Sequence, residues 1–194
     1  MKTLVLPILL LSILFVPAMA QGQAPPEMNP AEQALMQSAF TGKLDAVQAL
    51  VSGGLSVDTR DSEKHTPMMW AAFNGHTLVV SYLLEQGAKV DAKDESGRTS
   101  LLYASSGPYA ETVELLLKKG AEVNVQGTLE GFTALMTAAA EGQEKVVRLL
   151  LSHGADPTLK DKDGDTAESF ARQKGHSAVA ELLKNLPAPA PQKN

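Results

Sequence analysis

Cysteine is absent from this 194-residue sequence, and aromatic residues make up only 5% of it. Without cysteine the chain has no disulfides, no thiol chemistry and no cysteine-bound zinc. Positive charge is also in short supply, since 17 Lys and Arg against 22 Asp and Glu give a formal net charge of −5. Nucleic acids and anionic membrane surfaces select clusters of Lys and Arg, so the composition argues against both as partners.

A long apolar run occurs at the N-terminus, over residues 4–16. It is short for a membrane span, and Ala18-Met19-Ala20 follows it with the small-x-small pattern that a signal peptidase cleaves. We therefore predict a cleaved signal peptide over residues 1–20, cut between Ala20 and Gln21; an uncleaved anchor is the alternative. Export without cysteine fits a bacterial periplasm better than the eukaryotic secretory route.

The rest of the chain is dominated by an internal repeat of 33 or 34 residues. One phrase reads TPMMWAAFNGH, TSLLYASSGPY, TALMTAAAEGQ and TAESFARQKGH in successive copies, and QALMQSAFTGK fits one period earlier. A second phrase, LLEQGAKVD in one copy and LLKKGAEVN in the next, keeps the same step. Apolar residues fall at helical spacing within both phrases, which predicts two short helices per copy. One such copy cannot bury its own apolar faces, so the copies must stack.

The two phrases resemble the ankyrin repeat, T-P-L-H-x-A-A followed by G-H and then L-L-x-x-G-A-x-V-N. The resemblance implies an all-α ankyrin-repeat solenoid of five stacked helix-turn-helix units with short hairpin-like loops. It covers about residues 31–185, between a Pro-rich linker at 21–30 and a Pro/Ala-rich flexible tail at 186–194. The five copies are expected at about 31–61, 62–94, 95–127, 128–161 and 162–185.

Several positions make local predictions within this repeat. The repeat threonines are expected to cap the first helices through their hydroxyls: Thr66, Thr99, Thr133 and Thr166. Lys64 stands where the other copies have a turn glycine. In the third copy Gly107-Pro108-Tyr109 replaces the usual Gly-His turn. We predict that Gly107 takes a positive φ and that this copy's first helix is one residue shorter. Tyr109 is expected to pack within the turn, with a contact at the rim of the interface as the alternative.

Candidate catalytic and metal sites are few. DKDGDTAE (161–168) superficially resembles a calcium loop, but Thr166 and Arg172 stand where that loop needs a glycine and a bidentate glutamate. The repeat's own D-x-x-G-x-T turn explains the same residues. The four histidines have no metal-ligand spacing within a helix, and no nucleophile-base-acid set stands out. We therefore predict no enzyme activity, no cofactor and no metal, with an enzyme in its own right as the alternative.

Partners of ankyrin repeats usually contact the fingertips and the exposed side of the first helices, and the resemblance carries this to individual residues. His65 is expected on an exposed turn, and the phenylalanines are expected to anchor the interface, with partly buried filler as the alternative. Trp70 and Tyr103 share one repeat position and are expected to pack between copies, with a partner contact as the alternative. The predicted partner-binding residues are Phe40, His65, Phe73, Asn74, Arg98, Leu129, Phe132 and Glu141.

The sequence thus predicts a monomeric periplasmic protein–protein interaction module that binds another protein, expected to be a periplasmic enzyme, through its concave face and finger loops. One hypothesis is an inhibitor or immunity protein of a peptidoglycan-active or other periplasmic hydrolase. The alternative is an accessory protein that stabilises a periplasmic enzyme, such as a catalase in oxidative stress.

Overall fold

The computed structural model describes residues 28–186. The predicted signal peptide with its cleavage site, most of the linker and nearly all of the tail lie outside the described residues. The described chain is all helical, as predicted, and contains five helix pairs. Its helices are α1 (Pro30–Phe40), α2 (Leu44–Ser52), α3 (Pro67–Phe73), α4 (Thr77–Glu85), α5 (Ser100–Ala104), α6 (Ala110–Lys118), α7 (Ala134–Ala140), α8 (Glu144–Ser152), α9 (Ala167–Gln173) and α10 (Ser177–Lys184). None of these helices is long and apolar enough to cross a membrane.

The helices stack in two rows. The odd-numbered helices form an inner row, in which each packs on the next from α1 to α9, and the even-numbered helices form an outer row from α2 to α10. The core lies between the rows, where each copy supplies the same positions. In the second copy Met68, Ala71, Val80 and Leu83 are all fully buried. The small Ala71 lets neighbouring inner helices approach closely, so the copies form one continuous core.

Four loops join successive copies, and we call them fingers, numbered by the copy that each opens. Their ranges are finger 2 (56–65), finger 3 (89–98), finger 4 (122–132) and finger 5 (156–165). Backbone hydrogen bonds tie each fingertip to the next: Glu95 N donates to Glu63 O at 2.9 Å, Thr128 N to Ser96 O at 2.7 Å, and Lys162 N to Glu130 O at 3.0 Å. The fingers therefore form a connected row beside the inner helices.

The predicted helix caps are confirmed in three of four cases. The hydroxyls of Thr66, Thr133 and Thr166 accept hydrogen bonds from backbone N–H groups in the first turn of their helices, at 3.3, 3.2 and 3.3 Å. Thr99 has the same extended backbone but makes no capping bond through its side chain, so the prediction for it is wrong.

The third copy turns differently from the prediction. Helix α5 ends at Ala104, two residues earlier than the equivalent point in α3, rather than one. Gly107 does not take a positive φ, so that prediction is wrong. A glycine is needed there for space, because a Cβ on Gly107 would overlap the ring of Tyr109. The same ring lies over Gly75 of the preceding copy, just as His76 lies over Gly42. Tyr109 therefore packs within the turn, as predicted.

Candidate protein-binding surface

Four aromatic rings meet on the inner row across the first three copies. Phe40 ends α1, Trp70 and Phe73 lie on α3, and Tyr103 lies on α5. Ring centroids are 5.8 Å apart for Phe40 and Trp70, 6.3 Å for Trp70 and Phe73, and 6.2 Å for Phe73 and Tyr103. All three contacts are edge-to-face, the arrangement that aromatic pairs favour. We call these four residues the aromatic surface.

The repeat explains why the rings converge. Trp70 and Tyr103 occupy one repeat position in neighbouring copies, and Phe40 and Phe73 occupy another. Positions three apart on a helix lie on the same face, so stacking the copies places all four rings side by side. Phe40 is 40% exposed and the other three rings are half-buried. Trp70 and Tyr103 thus pack between copies, as predicted, and they also remain accessible on the surface.

Two polar residues of the second copy hold Phe40 in place at the edge of this surface. Asn74 Nδ2 donates to the Phe40 carbonyl at 3.1 Å, and His76 Nε2 lies 3.0 Å from the same oxygen. These contacts bind the end of α1 to the second copy, so the position of the exposed Phe40 ring is fixed by both copies. The predicted residues Phe40, Phe73 and Asn74 are therefore neighbours in the fold.

His65 is not on an exposed turn, so this part of the prediction is wrong. The residue is only 3% exposed, and its Nδ1 lies 2.9 Å from Asp61 Oδ2. Its ring stacks at a tilt on Trp70, with centroids 4.6 Å apart. Burial raises the pKa of Asp61, but the hydrogen bond and charge of His65 outweigh it, so the pKa lies below its usual value. His65 therefore packs against Trp70 and is too buried to contact a partner itself.

Arg98 lies beside the aromatic surface and is anchored by a buried carboxylate. Arg98 Nε donates to Asp94 Oδ2 at 3.0 Å, and its guanidinium carbon lies 5.2 Å from the centroid of the Tyr103 ring. The Tyr103 hydroxyl donates to the same Asp94 oxygen at 2.6 Å. Burial and this hydrogen bond raise the pKa of Tyr103, so the hydroxyl stays protonated and keeps donating. Asp94 thus fixes both the Arg98 guanidinium and the Tyr103 ring. In the sequence, this role was indicated only by the recurrence of an aspartate at the same repeat position in other copies.

The remaining predicted residues lie elsewhere. Phe132 packs edge-to-face on Phe170, with centroids 5.2 Å apart, at a groove between fingers 4 and 5. Leu129 is 62% exposed at the rim of this groove, whose volume is about 480 Å³. Glu141 is half-buried and directly follows α7, where its backbone N–H donates to Thr137 O. Two of the predicted residues thus belong to the aromatic surface, Asn74 and Arg98 lie beside it, and His65 is buried. Leu129 and Phe132 line the second groove, and Glu141 is isolated from both.

The histidines of the described residues make structural contacts. Within residues 28–186 no group of three or more His, Asp and Glu side chains could hold a metal ion. The histidines other than His65 bind backbone carbonyls: His76 that of Phe40, His153 that of Leu149, and His176 that of Ala140. These contacts are structural, because each ring nitrogen satisfies a carbonyl at the end of a helix.

A helical solenoid with a preformed aromatic surface is typical of repeat proteins that bind other proteins. Comparison with known families agrees, since a profile described as "Ankyrin repeats (3 copies)" matches residues 19–94, 35–127 and 101–192. The chain belongs to the ankyrin-repeat family. It is thus a protein–protein interaction module.

Similar proteins share short stretches of this repeat. Espin-like protein of Homo sapiens is 41% identical over 61 residues, 31% of this chain and 6% of that protein. Ankyrin repeat family A protein 2 of Homo sapiens is 55% identical over 47 residues, 24% of this chain and 15% of that protein. The ankyrin repeat protein YahD of Escherichia coli (strain K12) is 49% identical over 41 residues, 21% of this chain and 20% of that protein. The chain spans a fifth or less of the length of these relatives, so their similarity concerns the repeats alone.

Proposed function

We propose that this protein is exported to the periplasm, where it binds a hydrolase through the aromatic surface and inhibits it. The proposal rests above all on the four clustered rings of Phe40, Trp70, Phe73 and Tyr103. Aromatic side chains are enriched at the energetic centres of protein interfaces. Phe40 is 40% exposed at the edge of this cluster, so a partner that covers it would bury apolar surface that now faces water.

The surroundings of the rings favour a rigid surface. Trp70 rests on buried His65, and the Tyr103 hydroxyl is bound to buried Asp94. Neighbouring fingertips are joined by backbone hydrogen bonds. Little conformational entropy is lost when such a surface binds, so more of the contact energy appears as affinity. A rigid block of this kind suits the occlusion of another protein's active site.

Export is supported by the signal-peptide pattern of residues 1–20, and inhibition by the absence of a catalytic constellation from the sequence pattern. The target is expected to be a cell-wall or other periplasmic hydrolase. An accessory role, in which binding stabilises a periplasmic enzyme, predicts higher rather than lower activity of the partner.

Capture from a periplasmic extract followed by an activity assay tests the proposal. The purified protein should retain a hydrolase, and the captured hydrolase should lose activity on peptidoglycan as the protein is added to saturation. A Phe40→Ala/Phe73→Ala variant should neither capture nor inhibit it. Leu78→Ala is the matched control, because Leu78 is 71% exposed but lies on outer helix α4. Full hydrolase activity at saturation rejects inhibition, and raised activity supports the accessory role instead.

A further inference from the structure

The fingers repeat one polar arrangement around an aspartate. Asp61 in finger 2, Asp94 in finger 3 and Asp161 in finger 5 occupy the same repeat position. In each case Oδ1 accepts a backbone N–H four residues later: His65 N at 2.8 Å, Arg98 N at 2.8 Å and Asp165 N at 2.7 Å. The three carboxylates therefore have the same orientation, with Oδ2 left for another donor.

In fingers 2 and 3 a side-chain nitrogen of the same finger lies within hydrogen-bond distance of Oδ2. The same side chain also lies against an aromatic ring. His65 Nδ1 lies 2.9 Å from Asp61 Oδ2, with its ring 4.6 Å from Trp70. Arg98 Nε donates to Asp94 Oδ2 at 3.0 Å, with its guanidinium 5.2 Å from Tyr103. Both copies thus contain an aspartate, a nitrogen donor and an aromatic ring in contact.

The fifth copy has the aspartate and the ring but lacks the donor. Phe170 occupies the repeat position of Tyr103, and Asp165 occupies that of Arg98. Among residues 28–186 no side chain donates to Asp161 Oδ2. The position filled by a cation in finger 3 is instead filled by a second carboxylate in finger 5.

The surrounding groove has the chemistry that such a donor requires. It has a volume of about 480 Å³, and the rings of Phe132 and Phe170 line it. Six of its other lining residues are charged, four carboxylates against two ammonium groups: Glu130, Asp161, Asp163 and Asp165 against Lys162 and Lys174. An apolar lining with excess negative charge is complementary to a long cationic side chain, which has an apolar stem and a charged end.

We propose that the groove between fingers 4 and 5 binds an arginine side chain presented by the partner protein. The guanidinium would take the place that Arg98 has in finger 3, donating to Asp161 Oδ2 and Asp165 while it lies against the rings. Arginine suits this position better than lysine, because its planar group stacks on rings and donates to two carboxylates at once. This inference rests on the proposed function, since it gives the interface a second contact in the fourth and fifth copies, next to the three copies that form the aromatic surface.

A peptide titration tests the site without any partner. The purified protein, ¹⁵N-labelled, is titrated at low ionic strength with acetyl-Gly-Arg-Gly-amide and, separately, with the citrulline peptide, which has the same shape but no charge. The arginine peptide should shift the backbone amide signals of residues 129–132 and 161–165, and the citrulline peptide should not. The Asp165→Arg variant supplies the cation from within the chain and should weaken peptide binding about tenfold or more.

A matched pair of milder variants separates the site from general attraction between opposite charges. Asp165→Asn and Glu95→Gln each remove one carboxylate with little change in shape, but Glu95 is exposed on finger 3, away from the groove. Weaker binding in Asp165→Asn alone supports the site. Equal binding of both peptides, or shifts spread evenly over all fingertips, overturns it. Because no partner is present, such a failure leaves the aromatic surface and the proposed function unaffected.

Discussion

Lys64 has a backbone conformation that normally requires glycine, and we predict that Lys64→Gly stabilises the protein. Its φ is +64°, and it is the only non-glycine residue with a positive φ in the described chain. The same finger position is glycine in the third and fifth copies, where Gly97 and Gly164 have φ of +75° and +88°. All three N–H groups donate to the carbonyl of the finger aspartate, at 3.0, 3.1 and 3.2 Å, so the turn itself is unchanged.

The size of the effect follows from two opposing terms. A residue with a Cβ pays about 1–2 kcal/mol in the left-handed region. Glycine loses more backbone freedom on folding, which offsets about 0.5–1 kcal/mol of the stabilisation. The Lys64 side chain is exposed and forms no ion pair with the described residues, so no contact is lost. We therefore expect a gain of about 0.5–1 kcal/mol in the free energy of unfolding, or roughly 1–4 °C in Tm.

Urea unfolding followed by far-ultraviolet circular dichroism and by the fluorescence of Trp70 measures this change. Two matched variants make the opposite substitution at the equivalent positions. Gly164→Ala should cost about 1 kcal/mol from conformation alone, because its Cβ would meet no atom within 4 Å. Gly97→Ala should cost more, because its Cβ would lie 2.7 Å from the backbone nitrogen of Thr128. The reasoning is refuted if Lys64→Gly is neutral or destabilising while Gly164→Ala costs nothing.

Three further predictions concern buried or partly buried polar groups. Ser100→Ala should raise the free energy of unfolding by about 1 kcal/mol, since the Ser100 hydroxyl is buried without a hydrogen-bond partner in the described structure; an unchanged urea midpoint would contradict this. Asp94→Ala should lower the free energy of unfolding by about 2–4 kcal/mol, because Arg98 and the Tyr103 hydroxyl lose their acceptor. Tyr103→Phe should lower it by about 1.5 kcal/mol, because it removes one of these two hydrogen bonds. Equal losses in the two variants would argue against Asp94 as the shared anchor. The folded-state pKa of Asp61 lies below its unfolded value near 3.8, so its contribution is complete above that pH and is lost as the pH falls through the folded-state pKa. Urea midpoints between pH 5 and pH 2 should therefore fall more steeply in the wild type than in Asp61→Asn.

The fold was predictable because the repeat states the same pattern five times. Helical spacing, capping threonines and the 33-residue step all point to the same stacked helix pairs. At Gly107-Pro108-Tyr109, one of the places where the copies disagree, the prediction of the backbone is wrong. A single sequence did not reveal that the Tyr109 ring lies against Gly107, so glycine's role was attributed to its φ rather than to its size.

The binding surface was only partly predictable, because burial depends on contacts between copies. His65 follows a polar turn, which predicts an exposed side chain, yet its ring is buried against Trp70 and Asp61. Asp94 reads as a loop residue, and its two partners, Arg98 and Tyr103, are four and nine residues away. Such networks combine a finger with an inner helix, and neither helical spacing nor composition indicates which side chains meet.

The affinity of the captured partner for variants of the aromatic surface tests the central claim most directly. Isothermal titration calorimetry would compare the wild type, Phe40→Ala, Phe73→Ala and the outer-helix control Leu78→Ala. If the aromatic surface binds the partner, at least one phenylalanine variant should lose about 2 kcal/mol of binding free energy, about thirtyfold in Kd, while Leu78→Ala binds as the wild type does. Unchanged affinity in both phenylalanine variants, with their folds intact by circular dichroism, would contradict the account.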